Sequence, residues 1–292
     1  MRWYNYIALG LLVGFASNVS AHERDTPHHD VQNQAKGEAR YIANEGVMVA
    51  SGGMKILFDP LALSGFDVYP EISAEDKAAL MAGEGEFKDI DWVFISHAHT
   101  DHFSAPDMMS YMAAQSHVNV VMPQQALDKL REMEGWDARL EARIKALDLD
   151  YGHEAVSIIK ESRLQVDAVR IPHAGWPAPK RAAIQNMVYR VTLINDDKGE
   201  GVTVMHMGDA DPRAQHFIPY NDLWDAKDTD LAMPPYWFVT RPEGKAILKD
   251  IIHANEAIGI HVPINKPLEL FSSGADFFSI AGETREIGKN AP

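Results

Sequence analysis

Residues Trp92-Val93-Phe94-Ile95-Ser96-His97-Ala98-His99-Thr100-Asp101-His102 join an apolar run to three histidines and one carboxylate. The run is β-branched and aromatic and sits between Asp91 and Ser96, the pattern of a short buried strand. The polar cluster then occupies the loop leaving the strand's C-terminal end, where open α/β sheets collect their sites. Positions i and i+2 of an extended chain face the same way, so His97 and His99 can offer imidazoles to one ion. Asp101 and His102 are neighbours, and a turn there lets both face a second ion. Imidazoles and carboxylates without sulfur suit zinc first and manganese or iron next.

Outward from this loop the chain alternates strands and helices, which argues an α/β fold. Upstream, Gly46-Val47-Met48-Val49-Ala50 and Lys55-Ile56-Leu57-Phe58-Asp59 flank Ser51-Gly52-Gly53, a hairpin pattern. Ser73-Ala74-Glu75-Asp76 opens a short helix ending near Gly83. Ser104-Ala105-Pro106-Asp107 opens another, with Pro106 in the first turn. Residues 118–122 read as a strand, and 124–134 and 137–147 as helices. Strands dominate after Gly152. One at 164–169 leads to His173, one at 202–207 runs into Gly208-Asp209, and 258–263 is the last strand candidate, carrying His261. Thr240-Arg241-Pro242-Glu243 caps a helix running to about residue 255, with His253 on it.

His97-x-His99-x-Asp101-His102 resembles the H-x-H-x-D-H signature of the metallo-β-lactamase superfamily of hydrolases. His173 after a strand, Gly208-Asp209 after a later one, and His261 towards the end stand where that family places its remaining ligands. The resemblance spans roughly residues 43–263 and implies a four-layer αββα sandwich. It implies two zinc ions, with His97, His99 and His173 on one, Asp101, His102 and His261 on the other, and Asp209 bridging them. A zinc-bound hydroxide would attack an ester, lactone or phosphodiester bond, with Asp101 and Asp209 as the catalytic carboxylates. Within the superfamily the chain looks most like the group of ascorbate-6-phosphate lactonase and N-acyl-phosphatidylethanolamine phospholipase D. It departs from the phospholipases at Val262-Pro263, where they tend to carry Trp-Gly. Two other functions fit the same ligands: a non-enzymatic periplasmic metal-binding protein, and a di-iron redox relative.

Several other residues are read beside this set. Trp176, Tyr236 and Trp237 follow site strands and could wall a substrate pocket. His206 and the carboxylates Asp59 and Asp230 could support ligating imidazoles. Asp211 reads as a solvated loop acid, and His153 as a turn residue.

The 292-residue chain has no cysteine, which excludes disulfides and thiolate ligands. Its net charge of −15 disfavours nucleic acid, leaving a small-molecule substrate. Residues 1–21 read as a signal peptide: Arg2, a short apolar core, and Val19-Ser20-Ala21 as cleavage site. Cleavage would leave no membrane span and a periplasmic or secreted protein. Residues 22–39 read as a disordered polar arm, and 40–292 as a single hydrolase domain.

Overall fold

The computed structural model describes residues 36–63, 65, 67–195 and 201–288. The signal-peptide reading and most of the polar arm lie outside them.

The first half supplies β1 (Gly37–Ala43), β2 (Gly46–Ser51), β3 (Met54–Phe58), β4 (Trp92–Phe94), β5 (Asn119–Pro123) and β6 (Ile144–Leu147). Helices α1 (Ala74–Ala82), α2 (Ala105–Ala114) and α3 (Gln124–Arg131) lie among them. The second half supplies β7 (Val156–Lys160), β8 (Leu164–Arg170), β9 (Met187–Ile194), β10 (Gly201–His206), β11 (Thr229–Met233), β12 (Ala254–Gly259), β13 (Asp276–Phe277) and β14 (Thr284–Ile287). With them come α4 (Pro179–Ala182), α5 (Asn221–Asp225), α6 (Tyr236–Thr240), α7 (Pro242–Ala246) and α8 (Leu268–Ser273).

Two seven-stranded sheets result, in the orders β14-β1-β2-β3-β4-β5-β6 and β13-β12-β11-β10-β9-β8-β7. Tyr41, Phe58 and Phe94 of the first sheet pack against Tyr189, Val204 and Met233 of the second. On the first sheet's outer face, Leu80, Tyr111 and Leu127 of α1 to α3 cover Leu57, Val93 and Val120. Phe217, Trp224 and Phe238 cover Val188, Met205 and Ala232 on the other side. The architecture is the αββα sandwich. Every residue of β9 is buried, as a central strand covered on both faces requires. No helix among the described residues is long and apolar enough to cross a membrane.

Local chemistry sets the element ends. Ser51 pairs with Met54, so Gly52 and Gly53 form the two-residue hairpin turn, at φ of 57° and 78°. The Ser73 hydroxyl accepts from the Asp76 N–H at 2.9 Å, and Gly83 closes α1 in the left-handed region.

Four expectations need correction. The sequence reads as a polar arm through Ala39, but β1 begins at Gly37, paired on one edge with β2 and on the other with β14. Residues 137–147 are not one helix: a 3₁₀ stretch, Ala138–Arg143, leads into β6. The Arg143 guanidinium donates to the carbonyls of Met112, Gln115 and Val118, and Ile144 pairs with Val120 of β5. Thr240 caps nothing; its hydroxyl donates back to the Tyr236 carbonyl, and α6, α7 and a π-helical turn (Ile247–Ile251) replace the single helix. Finally, β12 ends at Gly259, so His261 lies just beyond a strand and two further strands follow it.

Candidate metal centre

Strand ends and the loops after them build the site. Ser96 to His102 leave β4, Asp59 follows β3, His173 lies beyond β8, Asp209 beyond β10, and His261 beyond β12. The β1–β2 turn adds Asn44 and Glu45. His97 Nε2 lies 3.1 Å from His99 Nδ1, which is 3.2 Å from His173 Nε2. Asp209 Oδ2 faces this group, 3.0 Å from His173 Nε2 and 4.0 Å from His97 Nε2. Its other oxygen, Oδ1, faces a second group, 3.1 Å from His261 Nε2 and 3.6 Å from His102 Nε2. Asp101 Oδ2 borders that group, 3.8 Å from His102 Nε2 and 4.0 Å from His261 Nε2. All seven residues expected at the centre are thus brought together.

Outer partners aim these rings. His102 Nδ1–H donates to Asp59 Oδ2 at 2.9 Å, His261 Nδ1–H to Asn44 Oδ1 at 2.7 Å, and His173 Nδ1–H to the Ala174 carbonyl at 2.8 Å. Each acceptor fixes the Nδ1 proton outside, so Nε2 is the nitrogen turned towards the centre, as metal-binding imidazoles require. Asp59 is itself fixed by the Ser96 N–H at 2.7 Å and the Ser96 hydroxyl. Gly208 turns the chain into Asp209 at φ 49°, and the Asp209 N–H donates to Asn186 Oδ1 at 2.9 Å.

The donor set fits cations. Burial pushes His97 well below the usual imidazole range and His99 down to about 4, so both rings are neutral donors. Burial disfavours a proton on His102 as well, but Glu45, Asp209 and Asp59 outweigh it and raise its pKa to about 10. That corner calls for positive charge. Burial also opposes ionisation of Asp209, yet His261, His102 and His173 hold its carboxyl well below the usual carboxylate range. His102 Nε2 and Asp209 Oδ1 are buried without a hydrogen-bond partner. Such atoms are costly unless something fills the space between them.

Other residues sort differently. Asp59 and His206 are buried beside the centre, whereas Asp230 accepts from the Thr203 N–H at 2.7 Å and supports no imidazole. Asp211 is not a solvated acid: it is 2 % exposed, with Oδ1 3.5 Å from His216 Nε2 and 3.4 Å from Arg213 Nε. His253 follows the helical turns instead of lying on one, exposed, and pairs with Asp225 at 2.9 Å. His153 is an exposed turn residue. A cleft of about 550 Å³ opens over the centre, lined by Tyr69, Lys180, Arg181 and Ile184 with His99, Asp101, Asp209 and His261. Trp237 walls a second cleft of about 510 Å³ beside Asp211 and Arg213. Trp176 and Tyr236 line neither; Trp176 packs on Tyr151 and His216. Sequence reading missed Asn44, Glu45 and Asn186. Only the Asn-Glu-Gly run at 44–46, a turn pattern, signals any of them.

Two histidine–carboxylate groups with the chemistry to hold metal ions thus lie beyond the strand ends of two stacked sheets. The chain belongs to the family described as "Beta-lactamase superfamily domain", which matches residues 55–262. No curated protein matches it. Among solved structures it is similar to Igni18, a metallo hydrolase from the archaeon Ignicoccus hospitalis, at 16 % identity and TM-score 0.54, covering 85 % of this chain and 97 % of that one. A possible metal-dependent hydrolase from Veillonella parvula is similar at 12 % identity and TM-score 0.59, covering 87 % and 100 %. An isothiocyanate hydrolase from Delia radicum gut bacteria is similar at 16 % identity and TM-score 0.53, covering 85 % and 98 %. These likenesses are of fold.

Proposed function

We propose that the protein is a hydrolase working with two divalent cations, zinc first, on an ester, lactone or phosphodiester bond of a small molecule. The carrying observation is Asp209, one buried carboxylate whose two oxygens face separate histidine groups. His97, His99 and His173 would hold one cation, Asp101, His102 and His261 the other, and Asp209 both. Cations bound there supply Lewis acidity towards a carbonyl or phosphoryl oxygen and lower the pKa of a nucleophilic water. The chain's own residues do the rest. Asp59, Asn44 and the Ala174 carbonyl hold the Nδ1 protons of His102, His261 and His173 away from the centre. Asp101 borders the open cleft, where Oδ2 can take a proton from the attacking water and return it to the leaving oxygen. Lys180 and Arg181 at the cleft wall suit an anionic substrate, and its volume suits a small one.

Within the family we place the chain nearest the lactonase and phospholipase D group, on residues 46–60, 95–102 and 208–209. The test is a hydrolysis panel of ester, lactone, phosphodiester and β-lactam substrates, with metal content measured on the same preparation. Bound metal without turnover of any member would support a metal-binding protein instead.

His261→Ala is expected to lower bound metal from near two per chain towards one, with the fold retained. His253→Ala should leave metal content unchanged, since His253 pairs with Asp225 away from the centre. The reverse result in elemental analysis would give the role to the wrong histidine.

We also propose export, with cleavage after Ala21. Intact mass of protein from the host's periplasm should then show His22 as the first residue. A chain that keeps Met1 in the membrane fraction would refute it.

A further inference from the structure

Glu45 stands outside the ligand set that the resemblance implies, yet it is the most deeply buried carboxylate at the site. It is 1 % exposed, and neither side-chain oxygen has a hydrogen-bond partner. Two imidazole nitrogens approach it, His102 Nδ1 at 3.4 Å and His206 Nε2 at 3.7 Å. Neither satisfies it. His102 Nδ1–H is given to Asp59 at 2.9 Å, and His206 Nε2–H to the main-chain oxygen of Glu45 itself at 3.0 Å. An inner site of Glu45, Asp59 and His206 is also closed off, because both Asp59 oxygens already accept hydrogen bonds. A second group remains. Glu45, His102, Asp209 and His261 each place a donor atom within 4.8 Å of the others. In that group His102 Nε2 and Asp209 Oδ1 lack hydrogen-bond partners too. A buried carboxylate without hydrogen bonds is tolerated next to a cation and costly otherwise.

We infer that Glu45 is a further carboxylate of the second cation position, which makes the two positions chemically unequal. The inference rests on the two-cation reading. The first position would then offer three imidazoles and Asp209. The second would offer Glu45, Asp101 and Asp209 with only two imidazoles. More carboxylate oxygen moves preference away from zinc and towards manganese or ferrous iron. The second position would therefore take an oxygen-preferring divalent cation.

The full chain, stripped with chelator, is titrated with Zn²⁺ alone and with Mn²⁺ alone by calorimetry, with metal content measured after desalting. Wild type should take two equivalents of zinc and retain manganese at one position. Glu45→Gln should keep the first zinc, bind the second more weakly by roughly tenfold to a hundredfold, and lose manganese. Glu45→Asp, which keeps the charge, should recover much of the second equivalent. A Gln variant with the wild-type second equivalent overturns the inference. So do Gln and Asp variants that lose both equivalents and circular dichroism alike, since packing and not charge would then explain Glu45. A wild type that takes one equivalent fails the two-cation reading itself, before any variant is compared.

Discussion

Asp209→Asn is expected to lower turnover by at least roughly a hundredfold and to loosen both cations, the scale at which metal-site support changes act. The amide keeps the shape of the side chain but removes the charge that the two proposed dications would share. One of its two terminal atoms becomes an N–H donor, which repels whichever ligand position it faces. Both groups should feel the change, because Oδ1 lies 3.1 Å from His261 and Oδ2 lies 3.0 Å from His173. Kinetics and elemental analysis on one preparation test this, with far-UV circular dichroism as the control for folding. A folded Asp209→Asn protein with two metals and near-normal turnover would falsify the shared-carboxylate role.

Gly208→Ala should be the most destabilising small substitution at the site. Residue 208 has φ 49°, and an added Cβ would lie 2.4 Å from Asn186 Oδ1 and 2.7 Å from Ser96 Cβ. Neither neighbour can yield cheaply. Asn186 holds the Asp209 N–H and donates to the carbonyls of Ile171 and Met207, while the Ser96 hydroxyl donates to Asp59. Backbone strain and overpacking together should cost about 3 kcal/mol, lowering Tm by roughly 6–12 °C. Gly135→Ala is the matched control: φ there is 80°, but nothing lies within 4 Å of the added carbon. It carries the strain without the crowding. If the two variants melt within about 2 °C of each other, crowding at Gly208 has been overestimated.

The residues of the candidate site are legible because their chemistry is written locally. The motif at 97–102 presents histidines and a carboxylate at a strand end, and His173, Asp209 and His261 each follow a run of strand-forming residues. Glu45 was not legible. It looks like an ordinary turn acid, and its burial depends on β10 and the loop after β4 closing over it, contacts far away in sequence. Asp211 misled for the same reason, since His216 and the Pro172 carbonyl enclose it only in three dimensions. The error at 137–147 has a different source. Ala-Arg-Leu-Glu-Ala-Arg is a good helix former by propensity, but a free sheet edge beside β5 and three carbonyls awaiting Arg143 outweighed it. The start of β1 was hidden by its polar, glutamate- and arginine-bearing face.

The Asn44–His261 hydrogen bond joins residues 217 positions apart, and β14 closes the first sheet against β1. On a ribosome this separation becomes an interval of time. The loop at 97–102 emerges early, with His97 and His99 ready, while the ring that completes the second cluster is still unmade. Domains that gather their parts from both ends finish folding after the last segment appears. On the two-cation reading a half-made chain would hold metal only weakly, and complete loading would mark a finished molecule.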